Sequence, residues 1–73
     1  MPPRPLPYVE VRRRPLALGF SEISQRGSHV KFGRAEGAGY VTVIVPRHRE
    51  VAAGTLRSII RQAHSTWEEF QRL

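Results

Sequence analysis

The chain has 73 residues, which suffices for one domain with a thin core but not for a second lobe or an elaborate cofactor pocket. Twelve Lys and Arg residues stand against six Asp and Glu residues, so the formal net charge is +6, and eleven of the twelve cations are arginine. Because the planar guanidinium group donates two parallel hydrogen bonds to a phosphate, this balance favours a nucleic-acid partner over a membrane surface.

Several kinds of site are excluded by what the sequence lacks. It has no cysteine, so disulfides, thiolate catalysis and cysteine-ligated zinc are ruled out. Its three histidines are far apart and lack the spacing of metal ligands, so we expect no metal and no small-molecule cofactor. No stretch is long and apolar enough to span a bilayer or to act as a signal peptide, which predicts a cytoplasmic protein without a membrane partner.

Proline shapes the N-terminal part of the chain. Because proline lacks a backbone donor, we expect residues 1–7 to form a disordered, extended tail that takes no part in a sheet ladder. Residues 8–73 should then form the folded domain. A helix is predicted over residues 8–18, with Val11 and Leu18 facing the core and residues 12–14 facing solvent. Pro15 should either kink this helix or mark its start, and Gly19 should end it.

Three strand patterns follow the first helix. They cover residues 20–25, 29–34 and 40–45, and the third is rich in β-branched residues and stops at Pro46. Residues 26–28 and 35–39 contain the glycines that turns require, so the strands should form an antiparallel meander. In the second strand, His29 and Lys31 alternate with Val30 and Phe32, which predicts a solvated face where an imidazole lies near a cation.

A cationic loop and an amphipathic helix come after the third strand. Residues 47–53 form the loop, and the helix is indicated by apolar residues spaced i, i+3, i+4 and i+7, namely Leu56, Ile59, Ile60 and Ala63. Thr55 is placed to cap this helix. Arg57 and Arg61 lie one turn apart on its outer side, where they either bind phosphates or keep the helix soluble.

A short final helix completes the predicted fold. His64 stands where the end of a helix usually takes glycine, and Trp67 and Phe70 should face the core. The start of the final helix is indicated by overlapping capping boxes formed by Ser65, Thr66, Glu68 and Glu69. The prediction is an α+β domain of order α-β-β-β-α, in which helices cover one face of a three-stranded antiparallel sheet and the last helical turn is an addition.

His29 is the residue best suited to chemistry at neutral pH. An imidazole changes its protonation near neutrality and can act as a general acid or base. A lone histidine is also common as a solvated surface residue, and Gly27 and Ser28 before it can simply form a turn. The residue alone therefore leaves both interpretations open.

Four short strings in a fixed order resemble a known family. Gly19-Phe20 is followed by Gly27-Ser28-His29, then by Val45-Pro-x-His48, and then by Gly54-Thr-Leu-Arg-x-Ile-x-Arg-Gln-Ala63. Together they extend over about residues 10–70 and are similar to the HicA (YcfA-like) toxins of bacterial toxin–antitoxin systems. Pro15, His64 and the proline-rich tail depart from the family pattern, and none of these departures touches His29.

The resemblance implies a fold, an activity and a partner. The fold is that of a small double-stranded-RNA-binding domain, and the activity is metal-independent cleavage of mRNA that uses the histidine of the Gly-Ser-His motif, here His29. The partner is a HicB-like antitoxin that covers this face. The residues expected to bind RNA are Arg26, Gly27, Ser28, Lys31, Arg47, His48, Arg57 and Arg61.

A mechanism without cofactors can be written for these residues as a hypothesis. His29 would take the proton of a ribose 2′-hydroxyl, and Lys31 or His48 would protonate the departing 5′-oxygen. Two alternatives remain open: a non-catalytic RNA-binding module of the same shape, and a pure interaction protein. RNA binding without cleavage would favour the module, and no RNA affinity at low salt would favour the interaction protein.

Overall fold

The computed structural model describes residues 2–73, and Met1, the first residue of the predicted tail, lies outside the described residues. Three helices and five strands are present in this part of the chain. In order they are β1 (Leu6–Pro7), α1 (Tyr8–Ala17), β2 (Ser21–Arg26), β3 (His29–Glu36), β4 (Gly39–Pro46), β5 (Glu50–Val51), α2 (Ala53–Gln62) and α3 (Trp67–Arg72). None of the helices over residues 2–73 is long and apolar enough to cross a membrane.

The central sheet is an antiparallel meander of order β2-β3-β4. Both of its turns are shorter than the sequence predicts, because Arg26 pairs with His29 and Glu36 pairs with Gly39, which leaves two residues in each turn. Gly27 and Gly37 take the first position of these turns with φ of +57° and +58°, a conformation that suits glycine. Strand pairing therefore reaches closer to the turns than the predicted strand limits.

The core lies between one face of this sheet and the helices. Val30 and Phe32 of β3, together with Val43 and Val45 of β4, are almost completely buried. The helices contribute the other buried members of this cluster, which include Val11, Leu56, Ile59, Ile60, Ala63 and Phe70. The predicted fold class, an α+β domain with helices on one face of a three-stranded antiparallel sheet, is confirmed.

Helix α1 begins at Tyr8 and includes Pro15, so the alternative prediction, that the helix begins near Pro15, is wrong. Pro15 lies in the last turn, where a proline removes a single helical hydrogen bond, and Gly19 follows the end of the helix with φ of +89°. The outward position predicted for residue 14 is also wrong, because Arg14 is only 8% exposed. Its Nε donates to the Phe70 carbonyl at 2.7 Å, and Nη1 donates to the Glu10 carbonyl at 2.8 Å.

Part of the predicted tail takes part in a second, two-stranded sheet. Leu6 pairs with Val51 and Pro7 pairs with Glu50, in antiparallel register. The expectation that residues 1–7 stay outside any ladder is therefore wrong for β1, and the predicted loop over 47–53 contains β5. A proline is tolerated here because a two-residue strand at a sheet edge does not require every backbone donor.

The predicted start of α2 is wrong and that of α3 is confirmed. Ala52 is the N-cap of α2, without a side-chain cap bond, and Thr55 lies within the first turn. In α3 the Thr66 side chain accepts the backbone N–H of Glu69 at 3.1 Å, which is one of the two bonds of a capping box, while the Glu69 carboxylate accepts from the Ser65 hydroxyl. His64 has φ of +55° after α2, the left-handed conformation expected at a position that usually takes glycine.

Candidate functional site

One face of the central sheet carries no helix, and we call it the open face. Paired residues of neighbouring strands share a face, so the register that buries Val30 and Phe32 assigns the alternate residues to the open face. The described members are Ser21, Ser24, Arg26, His29, Lys31, Gly33, Ala35, Tyr40, Thr42, Ile44 and Pro46, with Ile23 at the bulge of β2. None of them is acidic.

The candidate site lies on the open face, next to the turn that joins β2 and β3. A shallow cavity of about 450 Å³ is lined by Ser24, Arg26, His29, Lys31 and Ile44. Arg26 and His29 close the hairpin as a directly opposed pair, for which Cβ atoms lie ~4.5–5.5 Å apart. His29 and Lys31 are both exposed and stand two residues apart on one strand face. The cavity thus brings the predicted catalytic histidine together with two predicted cations.

Local sequence explains how His29 is held at this place. Gly27 alone of the two turn residues has a positive φ, the pattern of a type II′ turn, which matches the twist of the strands. The Gln25 side-chain amide donates to the Gly27 carbonyl at 3.0 Å, and the backbone N–H of Arg47 donates to the Ser28 carbonyl. Gly27 and Ser28 therefore build the turn that sets the position of His29.

The other predicted RNA-binding residues lie outside this cavity. The guanidinium of Arg47 is 3.5 Å from Oε1 of Gln25 and 5.8 Å from the ring centre of Tyr8, on the helix side of the sheet. His48 is exposed in the loop between β4 and β5. Arg57 and Arg61 are exposed on α2, whose Gln62 faces β4. Around the helix axis, Arg57 lies ~140° and Arg61 lies ~100° from Gln62, so both point away from the sheet. The eight predicted binding residues are thus divided among different surfaces.

Sequence reasoning missed Ser24, Ile44 and Tyr40 as members of the open face. Strict alternation along β4 places Tyr40, Thr42 and Ile44 on one side, and this pattern was present in the sequence. Ser24 could not be placed in the same way, because the register between β2 and β3 shifts between Glu22 and Ser24.

A second cavity of about 440 Å³ lies on the helical side of the molecule. It is lined by Pro2, Arg4, Leu6, Arg14, Trp67, Gln71 and Arg72, and it contains none of the predicted site residues. The indole N–H of Trp67 is buried there without a hydrogen-bond partner among the described residues. Within residues 2–73, no group of three or more His, Cys, Asp or Glu side chains could hold a metal ion.

Fold and site together define a small, basic α+β domain that presents one histidine among cations on an open sheet face free of acidic residues. The family of HicA toxins of bacterial toxin–antitoxin systems has a sequence model that matches residues 9–64, so this chain belongs to the HicA toxin family. A comparison with curated proteins found no match. Membership confirms the predicted family and makes the chain the toxin of a toxin–antitoxin system, with a cognate antitoxin as its partner.

Proposed function

We propose that this chain is an endoribonuclease that cleaves mRNA without a metal ion, with His29 as the catalytic base. The observation that carries the proposal is the position of His29, exposed in the cavity between Arg26 and Lys31 on a face without acidic residues. A phosphodiester can approach such a face without repulsion from a carboxylate, and the two cations can bind its oxygens.

The chemistry requires no group beyond these side chains. Neutral His29 accepts the proton of a ribose 2′-hydroxyl, and the 2′-oxygen attacks the adjacent phosphorus. The bond to the 5′-oxygen breaks, which leaves a 2′,3′-cyclic phosphate on one product and a 5′-hydroxyl on the other. Arg26 and Lys31 stabilise the negative charge that develops on the phosphorane oxygens.

The departing 5′-oxygen requires a proton, and the cavity favours Lys31 over His48 as its source. Lys31 lines the cavity and is the single lysine of the chain, whereas His48 does not line it. A lysine ammonium can release a proton, whereas a guanidinium keeps its proton throughout the accessible pH range. Lys31→Arg would therefore retain charge stabilisation but lose the proton donor.

Cleavage of a long single-stranded RNA in excess EDTA tests the proposal. The wild type should cleave and His29→Ala should not, provided that the circular dichroism spectra of the two proteins agree. His64→Asn is the matched control, because it removes another exposed imidazole and asparagine tolerates the left-handed conformation found at this position. Equal cleavage by the wild type and His29→Ala would refute catalysis by His29, and RNA binding without cleavage would favour the non-catalytic module.

The cognate antitoxin is proposed to be a HicB-like protein that inhibits by covering the open face. Cations exposed on this face would attract an acidic partner and speed its association. The test is whether saturating antitoxin protects Arg26 and Lys31 from chemical modification while it abolishes cleavage. A complex that leaves both residues reactive would contradict occlusion of the open face. Because its proposed substrate is mRNA, we also propose that the protein acts in the cytoplasm.

A further inference from the structure

Tyr40 is a large aromatic side chain that remains 62% exposed on the open face. Its ring is directed toward Gly33 of the neighbouring strand. A Cβ atom added to Gly33 would lie 2.6 Å from both Cε2 and the hydroxyl oxygen of Tyr40, and it would also collide with the side chain of Ile23. Because Gly33 has no side chain, there is room above its Cα atom for the end of the Tyr40 ring, which reaches across from β4 to β3.

This ring is aligned with the candidate site along the strands. Tyr40, Ile44 and Pro46 share the open face, and Pro46 pairs with His29. Gly33, which the ring covers, is four residues from His29 on β3, a separation of about 14 Å at ~3.4 Å per residue. Lys31 lies between the two, so a cation is available along the path from the ring to the histidine.

The chemistry of this patch suits an unpaired nucleobase. An exposed aromatic ring on a basic sheet face provides a π surface on which a base can stack, while cations bind the adjacent phosphates. A paired base within a duplex is already stacked on its neighbours and does not offer its face to the ring. The absence of acidic residues on the open face removes the repulsion that would oppose this approach.

We propose that Tyr40, supported by Gly33 and Ile23, is a stacking subsite for one unpaired base of the RNA whose scissile phosphate lies at His29. By holding this base, the subsite determines which phosphate of the RNA lies at His29 in the cavity. Its role in cleavage rests on the proposed ribonuclease function, whereas its binding of a base does not.

Binding is tested in the His29→Ala background, so that the RNA stays intact. Fluorescence anisotropy of a labelled single-stranded oligoribonucleotide should show affinity reduced about 5- to 150-fold by Tyr40→Ala and changed less than about twofold by Tyr40→Phe. Val9→Ala is the control, because Val9 is an exposed apolar residue of α1 outside the open face. Unchanged affinity on Tyr40→Ala, or an equal loss on Tyr40→Phe, would overturn the stacking subsite.

An abasic scan locates the stacked base. Oligonucleotides with one abasic nucleotide at successive positions are compared on the parent protein and on Tyr40→Ala. At the position that stacks, the two changes should be non-additive, because each removes the same contact. Additive losses at every position would overturn the subsite, as would a Tyr40→Ala variant that loses antitoxin affinity but keeps RNA affinity.

The two proposals can fail separately. If the wild type does not cleave RNA but binding depends on Tyr40, the ribonuclease proposal fails and the stacking subsite holds. If cleavage depends on His29 but neither RNA affinity nor the abasic scan depends on Tyr40, the ribonuclease proposal holds and the stacking subsite fails.

Discussion

Arg14 shows how one charged residue can belong to the core. Its guanidinium lies 5.5 Å from the ring centre of Phe70 and donates to main-chain carbonyls of both α1 and α3. Burial, together with the nearby charge of Arg13, lowers the pKa of the Arg14 guanidinium, and Glu10 opposes this effect. Each buried donor is thus matched to an acceptor, which a buried charge requires.

Arg14→Ala should destabilise the fold by about 2–4 kcal/mol, because the Phe70 carbonyl would lose a charge-assisted hydrogen bond in a buried position. Arg13→Ala is the matched control and should change stability by less than about 0.5 kcal/mol, since the Arg13–Glu10 ion pair is exposed. Urea unfolding of both variants provides the comparison. Equal stability of the two would contradict a structural role for Arg14.

Glu36 is stabilised in its ionised form by two neighbours. The hydrogen bond from Arg34 at 3.2 Å, together with the nearby His64, lowers the pKa of this carboxyl below its ordinary value of 4.5. A lowered pKa in the folded state contributes stability that is present above the ordinary value and is lost as the pH falls below it.

The pH dependence of stability should therefore become shallower in Glu36→Gln. Between about pH 5 and pH 3, the free energy of unfolding should fall less for this variant than for the wild type, because the substituted side chain takes up no proton. Thermal unfolding across this range provides the measurement. Identical slopes for both proteins would show that Glu36 is not coupled to folding.

At the scale of the elements, a side chain of α2 binds a backbone donor on the β4 edge of the central sheet. The backbone N–H of Ile44 in β4 donates to the Gln62 side chain at 3.0 Å, and Gln62 in turn donates to the Ser58 hydroxyl at 3.1 Å. Edge strands with unpaired backbone groups can pair with other chains. A helix side chain thus satisfies a donor that no fourth strand reaches.

Gln62→Ala should cost about 1 kcal/mol of stability, because it removes the acceptor of the Ile44 amide. Hydrogen exchange observed by NMR should show that the Ile44 amide exchanges faster in this variant. Arg61→Ala, on the exposed side of the same helix, serves as the control and should leave this exchange rate unchanged. Unaltered exchange in Gln62→Ala would argue against a hydrogen bond from the Ile44 amide to this side chain.

Across the whole molecule, the acidic residues of the sheet strands lie away from the open face. Glu22 and Glu36 lie on the helix side, where they contact Arg12 and Arg34, whereas the open face is free of acidic residues. The cations of the cavity therefore have no acidic neighbour on their own face. Among the predicted RNA-binding residues, Arg26 and Lys31 lie at the cavity, whereas Arg57 and Arg61 lie on α2.

This division predicts different salt dependences of RNA binding. The double variant Arg26→Gln/Lys31→Gln should lower the slope of log K against log salt by about 1.4, since each lost phosphate contact on a single strand accounts for about 0.7. Arg57→Gln/Arg61→Gln should lower the slope less, because these residues lie on another flank of the molecule. Titrations in the His29→Ala background at several salt concentrations measure both. Equal slopes for the two variants would contradict the division.

Local patterns in the sequence were sufficient to predict the main helices and strands. Alternation in β3 predicted that Val30 and Phe32 are buried and that His29 is exposed, because side chains of a strand point to opposite faces. The spacing of Leu56 and Ile59 likewise predicted the buried side of α2. Family membership also followed from short strings that the sequence displays directly. The catalytic role of His29 remains a prediction.

Tertiary structure decided what depends on contacts between distant residues. Arg14 is buried because Phe70, 56 residues further along the chain, presents a carbonyl to it. Leu6–Pro7 form a strand because β5 lies beside them, and Arg57 is separated from the cavity because Gln62 turns toward β4. Local patterns report which side of an element is apolar, whereas the partner of each polar group depends on which elements meet in space.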